Sequence, residues 1–577
     1  MPGPAGGWDV TDPAPPGTTT AVLPSRLARG IARGAVIVAG LTLASRLLGL
    51  VRTVVFSQTV GAGCLGTAYV TASQVPNLVY ELVLGGALTT AMVPVLARSA
   101  ERSGSDPESK AQVSQITSAL MTWSVIILVP LTIGVAAAAG PIASLLNPAN
   151  PHAHCVRASV VSTTSSMLVV FGPQIILYGV SVVLFGLLQA YRRFTGPSLA
   201  PVVSNVVLIA SFLLFVPLGR GYTLVRLPAS AQLVLSVGAT AGVAVLVLVA
   251  VPPTWRLHVK IRPALSFPPG VARRASGLVA VGIIDFIAND LYTLATIALA
   301  NGRGPTGAIV LFNYAWMVFA ALFSVLAVAV TISAFPVLSA REGEEFDRTC
   351  AGSTRAVVLL SWLGTAVIAA VSVSAAHVLA RSSGQVSQLV GGFAAFALGL
   401  IGIGLVNHLS RVMLAIGRLR VAAVALVASW LLAIVASFIL VELVPAHWVV
   451  AALALGTTIG QCVVAIPLLI WTRRICGPRA VAGVTHAGFA GLAAALAGSL
   501  AGVVVSIALP VSHKALDVGV AVFAAAIAVL VFGGVAYLLD QGDLRAIAAR
   551  LRRMVGAGGR LPDEPGGPPG GAEPPPG

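Results

Sequence analysis

Long apolar stretches alternate with short polar breaks from residue 34 to residue 539. Fourteen can be drawn, near 34–60, 66–97, 112–146, 157–190, 198–218, 229–252, 271–300, 305–339, 355–380, 386–414, 420–442, 447–470, 484–509 and 515–539. A membrane-spanning helix needs roughly 20 such residues, and every stretch qualifies. Those longer than 30 residues are expected to tilt, kink or project into water. Pro76, Pro94, Pro130, Pro173 and Pro336 lie in or near the spans, where neighbouring helices or water can satisfy the backbone groups they free. The predicted fold class is an all-α polytopic membrane protein with about 14 transmembrane helices.

The first stretch breaks its own apolar pattern with Ser45-Arg46-Leu47-Leu48-Gly49-Leu50-Val51-Arg52-Thr53. At about 100° per residue, Thr42, Ser45, Gly49, Arg52, Thr53 and Ser57 fall with Arg46 in one sector about 140° wide. Leu43, Ala44, Leu47, Leu48, Leu50, Val51, Val54 and Val55 occupy the remainder. Arginine near the middle of a span costs roughly 2.5–3.5 kcal/mol on insertion scales. Two of them on a polar stripe therefore predict a wet cavity that receives an anion. Phosphate suits arginine, whose planar fork gives paired hydrogen bonds and keeps its charge. The alternative is that both snorkel to opposite surfaces, but they are only about 9 Å apart along the axis.

Composition agrees: of 577 residues, 57% are hydrophobic and 9% charged, against about 25% charged in a soluble domain. The Met1–Thr20 stretch is rich in Pro, Gly and Thr and has no apolar core. No cleavable signal peptide is expected, and the first span should remain as an anchor. With the N-terminus inside, the inner segments collect 27 of the 35 Lys and Arg. The outer loops hold six, namely Arg157, Arg220, Arg226, Arg303, Arg381 and Lys514. That bias follows the positive-inside rule and places both termini in the cytoplasm. It explains the +16 net charge as topology and contact with anionic lipids, and excludes nucleic acid as a partner.

A faint internal repeat is present. Pro94-Val95-Leu96-Ala97 at the end of segment 2 matches Pro336-Val337-Leu338-Ser339 at the end of segment 8, and Ala190-Tyr191-Arg192-Arg193 after segment 4 echoes Ala415-Ile416-Gly417-Arg418 after segment 10. Both offsets amount to six segments, which suits two six-helix lobes related by an axis along the membrane normal. The predicted organisation is a disordered tail (1–33), an N-lobe (34–252), a basic linker (253–270), a C-lobe (271–470), two added helices (471–540) and a Pro/Gly-rich tail (541–577).

Ser45-Arg46-x-x-Gly49-x-x-Arg52, Gly61-Ala62-Gly63, Val75-Pro76-Asn77-Leu78 and Val93-Pro94-Val95-Leu96 closely resemble the opening of the MurJ/MviN lipid II flippases of the MOP exporter superfamily. Phe312-Asn313-Tyr314-Ala315 and Phe335-Pro336-Val337-Leu338 resemble that family's eighth helix. The resemblance implies a V-shaped bundle in the bacterial plasma (inner) membrane. It implies transport, not enzymatic catalysis: movement of the undecaprenyl-pyrophosphate-linked peptidoglycan precursor, lipid II, from the inner to the outer leaflet by alternating access. Arg46 and Arg52 would hold the pyrophosphate, with Ser45, Thr53 and Gly49 nearby, and the last two helices would form a groove for the lipid tail. Cell-wall synthesis or division proteins are the implied protein partners.

This sequence departs from the family where it usually carries further charge. Tyr80 and Glu81 stand where an arginine is common after the Pro-Asn pair, Trp316 and Met317 where helix 8 commonly has Asp-Arg, and Thr67 where helix 2 often has an acid. Glu81, on one helix face with Asn77, is expected to pair with Arg46 or Arg52. Two other functions are kept in view: export of another polyprenyl-linked saccharide or drug, and a transport-inactive scaffold for cell-wall synthesis. No cofactor is expected, and the sequence has no Walker-type loop, HExxH or nucleophile elbow.

Coupling to sodium, protons or the membrane potential is left open. In segment 7, Asp285, Asn289, Tyr292 and Thr296 share about 60° of the wheel, while Asp290 points elsewhere. Asp285, Asn289 and Thr296 offer the hard oxygens a sodium ion accepts. The alternative gives Asp285 to Arg46 or Arg52 as a counter-ion. His152 and His154 lack a third metal ligand, and His408 reads as a satisfied polar residue. The five cysteines are odd in number and scattered. Cys64 and Cys155 both fall outside in this topology, where a disulfide is allowed but is not the expectation.

Overall fold

The computed structural model describes residues 25–82, 107–266, 271–509 and 514–539. Helices account for all its regular structure, and among the described residues there is no strand. A bilayer offers no water to the backbone, so each spanning segment must satisfy its own amide groups, and a helix does so locally. We number the helices α1 (Ser25–Thr59), α2 (Cys64–Leu82), α3 (Pro107–Ala137), α4 (Ala139–Leu146), α5 (Arg157–Ala190), α6 (Thr195–Gly219) and α7 (Ala229–Trp255). There follow α8 (Val271–Arg303), α9 (Ala308–Ser339), α10 (Gly343–Leu379), α11 (Ser383–Ala415), α12 (Leu419–Leu443), α13 (Val449–Cys476), α14 (Val484–Ala508) and α15 (Lys514–Leu539).

Thirteen of the described helices are long and apolar enough to cross a membrane. The expected second span is α2, whose sequence continues past Leu82 outside the described residues. The Pro94 half of the first repeat match, residues 1–24 and the tail from 541 also lie outside them; residues 25–33, expected as disordered tail, are instead the first turns of α1. Two spans are irregular. Helix α9 contains a π-turn at Ser324–Val328, and α11 breaks at Leu398 between Ser383–Ala397 and Gly399–Ala415.

Within the first half, α6 packs on α1 and α7, and α5 on α2, α3 and α7. Within the second, α12 packs on α8 and α13, and α11 packs on α10 and α13. Helices α14 and α15 pack on each other and on α10. The second repeat match has a structural counterpart. After α5, Arg192 turns left-handed (φ 57°) and Arg193 N donates to Leu188 O at 2.8 Å. After α11, Gly417 does the same (φ 75°), and Arg418 N donates to Met413 O at 2.8 Å. Both ends close their last turn with the same left-handed cap.

Candidate functional site

Helix α1 presents the two faces its sequence predicts. Leu43, Leu47 and Val51 are exposed and do not line the cavity, whereas Leu50, also exposed, lines it. Thr53 and Ser57 are buried against the protein. Between these extremes, Thr42, Ser45, Arg46, Gly49, Arg52 and Thr53 line a cavity of about 920 Å³. Its other walls are α2 (Ser73, Gln74, Asn77), α5 (Gln174, Tyr178), α6 (Ser198, Asn205) and α9 (Asn313, Tyr314, Trp316, Met317). Among the described residues, no carboxylate lies within ion-pair distance of Arg46 or Arg52. The cavity is thus a polar chamber with two uncompensated cations on one wall.

One end of the cavity extends to Gln189, Phe194, Pro197 and Ser198 at the α5–α6 turn, next in sequence to Arg192 and Arg193. The opposite end is closed. Phe56, Tyr69, Phe212 and Tyr314 line the cavity and pack edge-to-face or tilted, with ring centroids 5.1–6.5 Å apart. Because Tyr314 comes from α9, this aromatic ceiling joins the two halves. Above it the halves are tied through backbone carbonyls. Gln58 Nε2 donates to Val378 O at 2.8 Å, Gln385 Nε2 to Ala62 O at 3.2 Å, and Asn150 Nδ2 to Gly304 O at 2.7 Å. The α8–α9 turn enters this closure through Gly307 (φ 86°), where a Cβ would stand 2.2 Å from Ala62 O.

The predicted residues divide between two cavities. Arg46, Arg52, Ser45, Gly49, Thr53 and Asn77 meet in the large one. The Thr53 hydroxyl lies 3.1 Å from Gly49 O and 3.0 Å from Met317 Sδ. At the two positions where the resemblance implies Asp-Arg, Met317 sets a thioether against α1 and Trp316 packs tilted against Phe319 and Phe396. Glu81 lies instead in an adjoining cavity of about 190 Å³, with Asn289, Thr293 and Thr296.

Three expectations are corrected here. Glu81 does not pair with an arginine: Asn77 Nδ2 donates to its Oε1 at 3.0 Å and Asn289 Nδ2 to its Oε2 at 3.3 Å. Two amides satisfy the carboxylate, so it has no need to reach across the chamber. Asp285 does not face Arg46 or Arg52 either. It accepts from Trp430 Nε1 at 3.0 Å, and the opposite charge acting on it is Arg411 of α11. It is therefore separated from Asn289 and Thr296, which line the small cavity. Asp290, set aside on the wheel, is the carboxylate that feels Glu81, and its Oδ1 is buried without a hydrogen bond.

The third correction is covalent. Cys64 and Cys155 form a disulfide that fastens the start of α2 to the loop before α5. On that loop, His154 N donates to Thr306 Oγ1 at 3.0 Å. His408 is buried, with Nε2 3.2 Å from Ser353 Oγ and Nδ1 unpaired, so it is satisfied on one nitrogen only. Sequence reasoning missed Arg411. It lies four residues from the end of α11 and reads as one more basic residue at a span boundary.

Comparison with known proteins places this architecture. A family model described as lipid II flippase MurJ matches residues 56–527. Arg46 and Arg52 precede that match. The lipid II flippase MurJ of Burkholderia cenocepacia is 29% identical over 185 residues, which is 32% of this chain and 34% of that protein. The probable lipid II flippase MurJ of Rhizobium tropici is 25% identical over 307 residues, 52% of this chain and 54% of that one. The chain thus spans about a third to a half of the length of these curated relatives. Among solved structures, a lipid II flippase MurJ in an inward closed conformation superposes with a TM-score of 0.66 at 16% identity, covering 87% of this chain and 99% of that one. An inward-facing multidrug MATE transporter of the MOP superfamily gives 0.59 at 14% identity, covering 76% and 97%. At such identities the superpositions establish the fold alone. The family model covers most of the sequence, and this multi-pass membrane protein belongs to the lipid II flippase MurJ family.

Proposed function

We propose that this chain flips lipid II from the inner to the outer leaflet by alternating access between its two halves. The observation that carries the proposal is the chamber: two uncompensated arginines on one wall, about 9 Å apart along α1, beneath a closed aromatic ceiling. A polyprenyl chain can stay in lipid while the diphosphate and its sugars cross through water. Arg46 and Arg52 hold the diphosphate by charge-assisted, paired hydrogen bonds, and Ser45, Thr53 and Asn77 supply polar neighbours. The basic residues at the α5–α6 turn favour a cytoplasmic position for that end of the chamber, with both termini on the same side and anionic lipid headgroups around it.

Arg46→Ala/Arg52→Ala should abolish transport of fluorescent lipid II in proteoliposomes while membrane levels stay normal. Lysines at both positions should keep part of it, since charge survives without the fork. Full transport by the double alanine variant would end this reading. The membrane potential supplies the drive. The loaded chamber, its two cations matched by the diphosphate, moves little net charge, and an inside-negative potential favours the return of the emptied cationic chamber by about 2.3 kcal/mol per charge per 100 mV. Collapsing it with valinomycin and potassium should slow flipping; an unchanged rate would remove the potential as the driving force.

A further inference from the structure

Only six basic residues fall in the loops assigned to the outer side, and three of them converge. Arg381 follows α10, Lys514 begins α15, and Arg220 ends α6. Arg381 lies against the α1–α2 turn. Its guanidinium donates to Val60 O at 3.5 Å, and a Cβ on Gly61 (φ 73°) would stand 2.7 Å from it. Lys514 Nζ donates to Gln58 Oε1 at 2.9 Å and to Ala380 O at 3.0 Å. The charge of Arg220 reaches Arg381, and that of Arg381 reaches Lys514. Among the described residues, none of the three has a carboxylate within ion-pair distance. Asp517, one turn into α15, is the acid whose field reaches Lys514.

The cluster sits directly beyond the chamber. Arg381 acts electrostatically on Tyr314, the α9 member of the aromatic ceiling, whose hydroxyl is buried without a partner. Val60 is eight residues beyond Arg52, about 12 Å further along α1. The helix thus carries positive charge at Arg46, at Arg52 and, through Arg381, at its outer end. Burial pushes the Arg381 guanidinium below its usual range; burial, and then the charge of Arg381, do the same to the Lys514 ammonium. Cations held together on neutral carbonyl oxygens are stabilised by an arriving anion, since each gains a charge-assisted bond in place of a neutral one.

We propose that Arg381 and Lys514 form a second, outer diphosphate site, which takes over the headgroup phosphates of the cargo once the ceiling parts. This rests on the reading of the chamber as a diphosphate carrier. Arg381 thereby has two roles in succession: it ties the closed turn through Val60 O, and it exchanges that carbonyl for phosphate oxygens as the turn opens.

Four forms of the full chain in phosphatidylcholine nanodiscs test this by titration with inorganic pyrophosphate. They are wild type, Arg46→Ala/Arg52→Ala, Arg381→Gln/Lys514→Gln, and all four substitutions together. Glutamine keeps a donor for the carbonyl contacts and removes the charge, and matched melting temperatures check folding. The chamber variant should keep a pyrophosphate site that the combined variant lacks, a loss of about tenfold or more in affinity. Equal binding by those two would overturn the outer site. Equal binding by the Arg381→Gln/Lys514→Gln and combined variants would instead overturn the chamber reading, so the two failures are distinct. Glycerophosphoglycerol, the soluble diester of a phospholipid headgroup, should bind more weakly than pyrophosphate to the chamber variant. Binding as tight would give the cluster to outer-leaflet lipid and overturn its assignment to the cargo.

Discussion

Asp285 shows how one buried charge can be read in two ways. Placed on a helical wheel it joins Asn289 and Thr296 as a set of sodium ligands, but its carboxylate takes the Trp430 indole N–H and the field of Arg411 instead. A carboxylate with an indole donor and the field of a cation has little to gain from an imported ion. Removing its charge weakens the Trp430 hydrogen bond, worth about 1.5–3 kcal/mol when the acceptor is charged, and takes away the field that balances Arg411. Asp285→Asn should therefore lower the melting temperature, and it should leave the sodium and pH dependence of transport as in wild type. Loss of ion dependence in a well-folded Asp285→Asn protein would return this residue to a coupling role.

Helices show where the sequence was legible. The polar stripe of α1 follows from a 3.6-residue period, and the structure turns that stripe to the cavity and keeps Leu43, Leu47 and Val51 off it, although Leu50 joins the cavity wall. The span pattern was equally open to reading, because apolar length is a local property. What depends on neighbours was not. The wheel of α8 placed Asn289 and Thr296 on one cavity wall, but only packing against α11 and α12 shows that Arg411 and Trp430 claim Asp285. The π-turn in α9 has no signal in Ser324–Val328. The disulfide joins positions 91 residues apart, and an odd, scattered set of cysteines hides such a pair. It closes a long loop in the unfolded chain, which in the entropic account is worth up to roughly 4 kcal/mol. Cys64→Ser should accordingly lower the melting temperature under oxidising conditions and have no effect under reduction. A reductant-sensitive wild type that matches Cys64→Ser only when reduced would confirm the bond; identical melting in both conditions would discount it.

At the scale of the whole molecule, the two halves meet beyond the aromatic ceiling, and alternating access requires that this meeting part. Joining the halves where they meet should trap that state. Ala62→Cys with Gln385→Cys, positions linked by a 3.2 Å hydrogen bond, should halt flipping on oxidation and release it on reduction. Transport that continues through the crosslink would show that the outer turn need not open.

The outer closure has two parts. Val60, Ala62 and Leu146 are buried in one apolar core with Ala308, Leu379 and Ala380 of the other half, and hydrogen bonds run to backbone oxygens at Val60, Ala62, Val378 and Gly304. Each such bond contributes about 0.5–1.5 kcal/mol net, and water can replace any of them once the turn lifts, so the apolar core carries most of the closure. Alternating access requires the opposite state to bury a comparable area, which leaves the difference between the two states for the cargo to decide. A cargo that prefers the opposite state even a hundredfold, or about 2.7 kcal/mol, would visibly redistribute them. In that case the shut face works less as a lock than as a balance, which a single bound headgroup can tip.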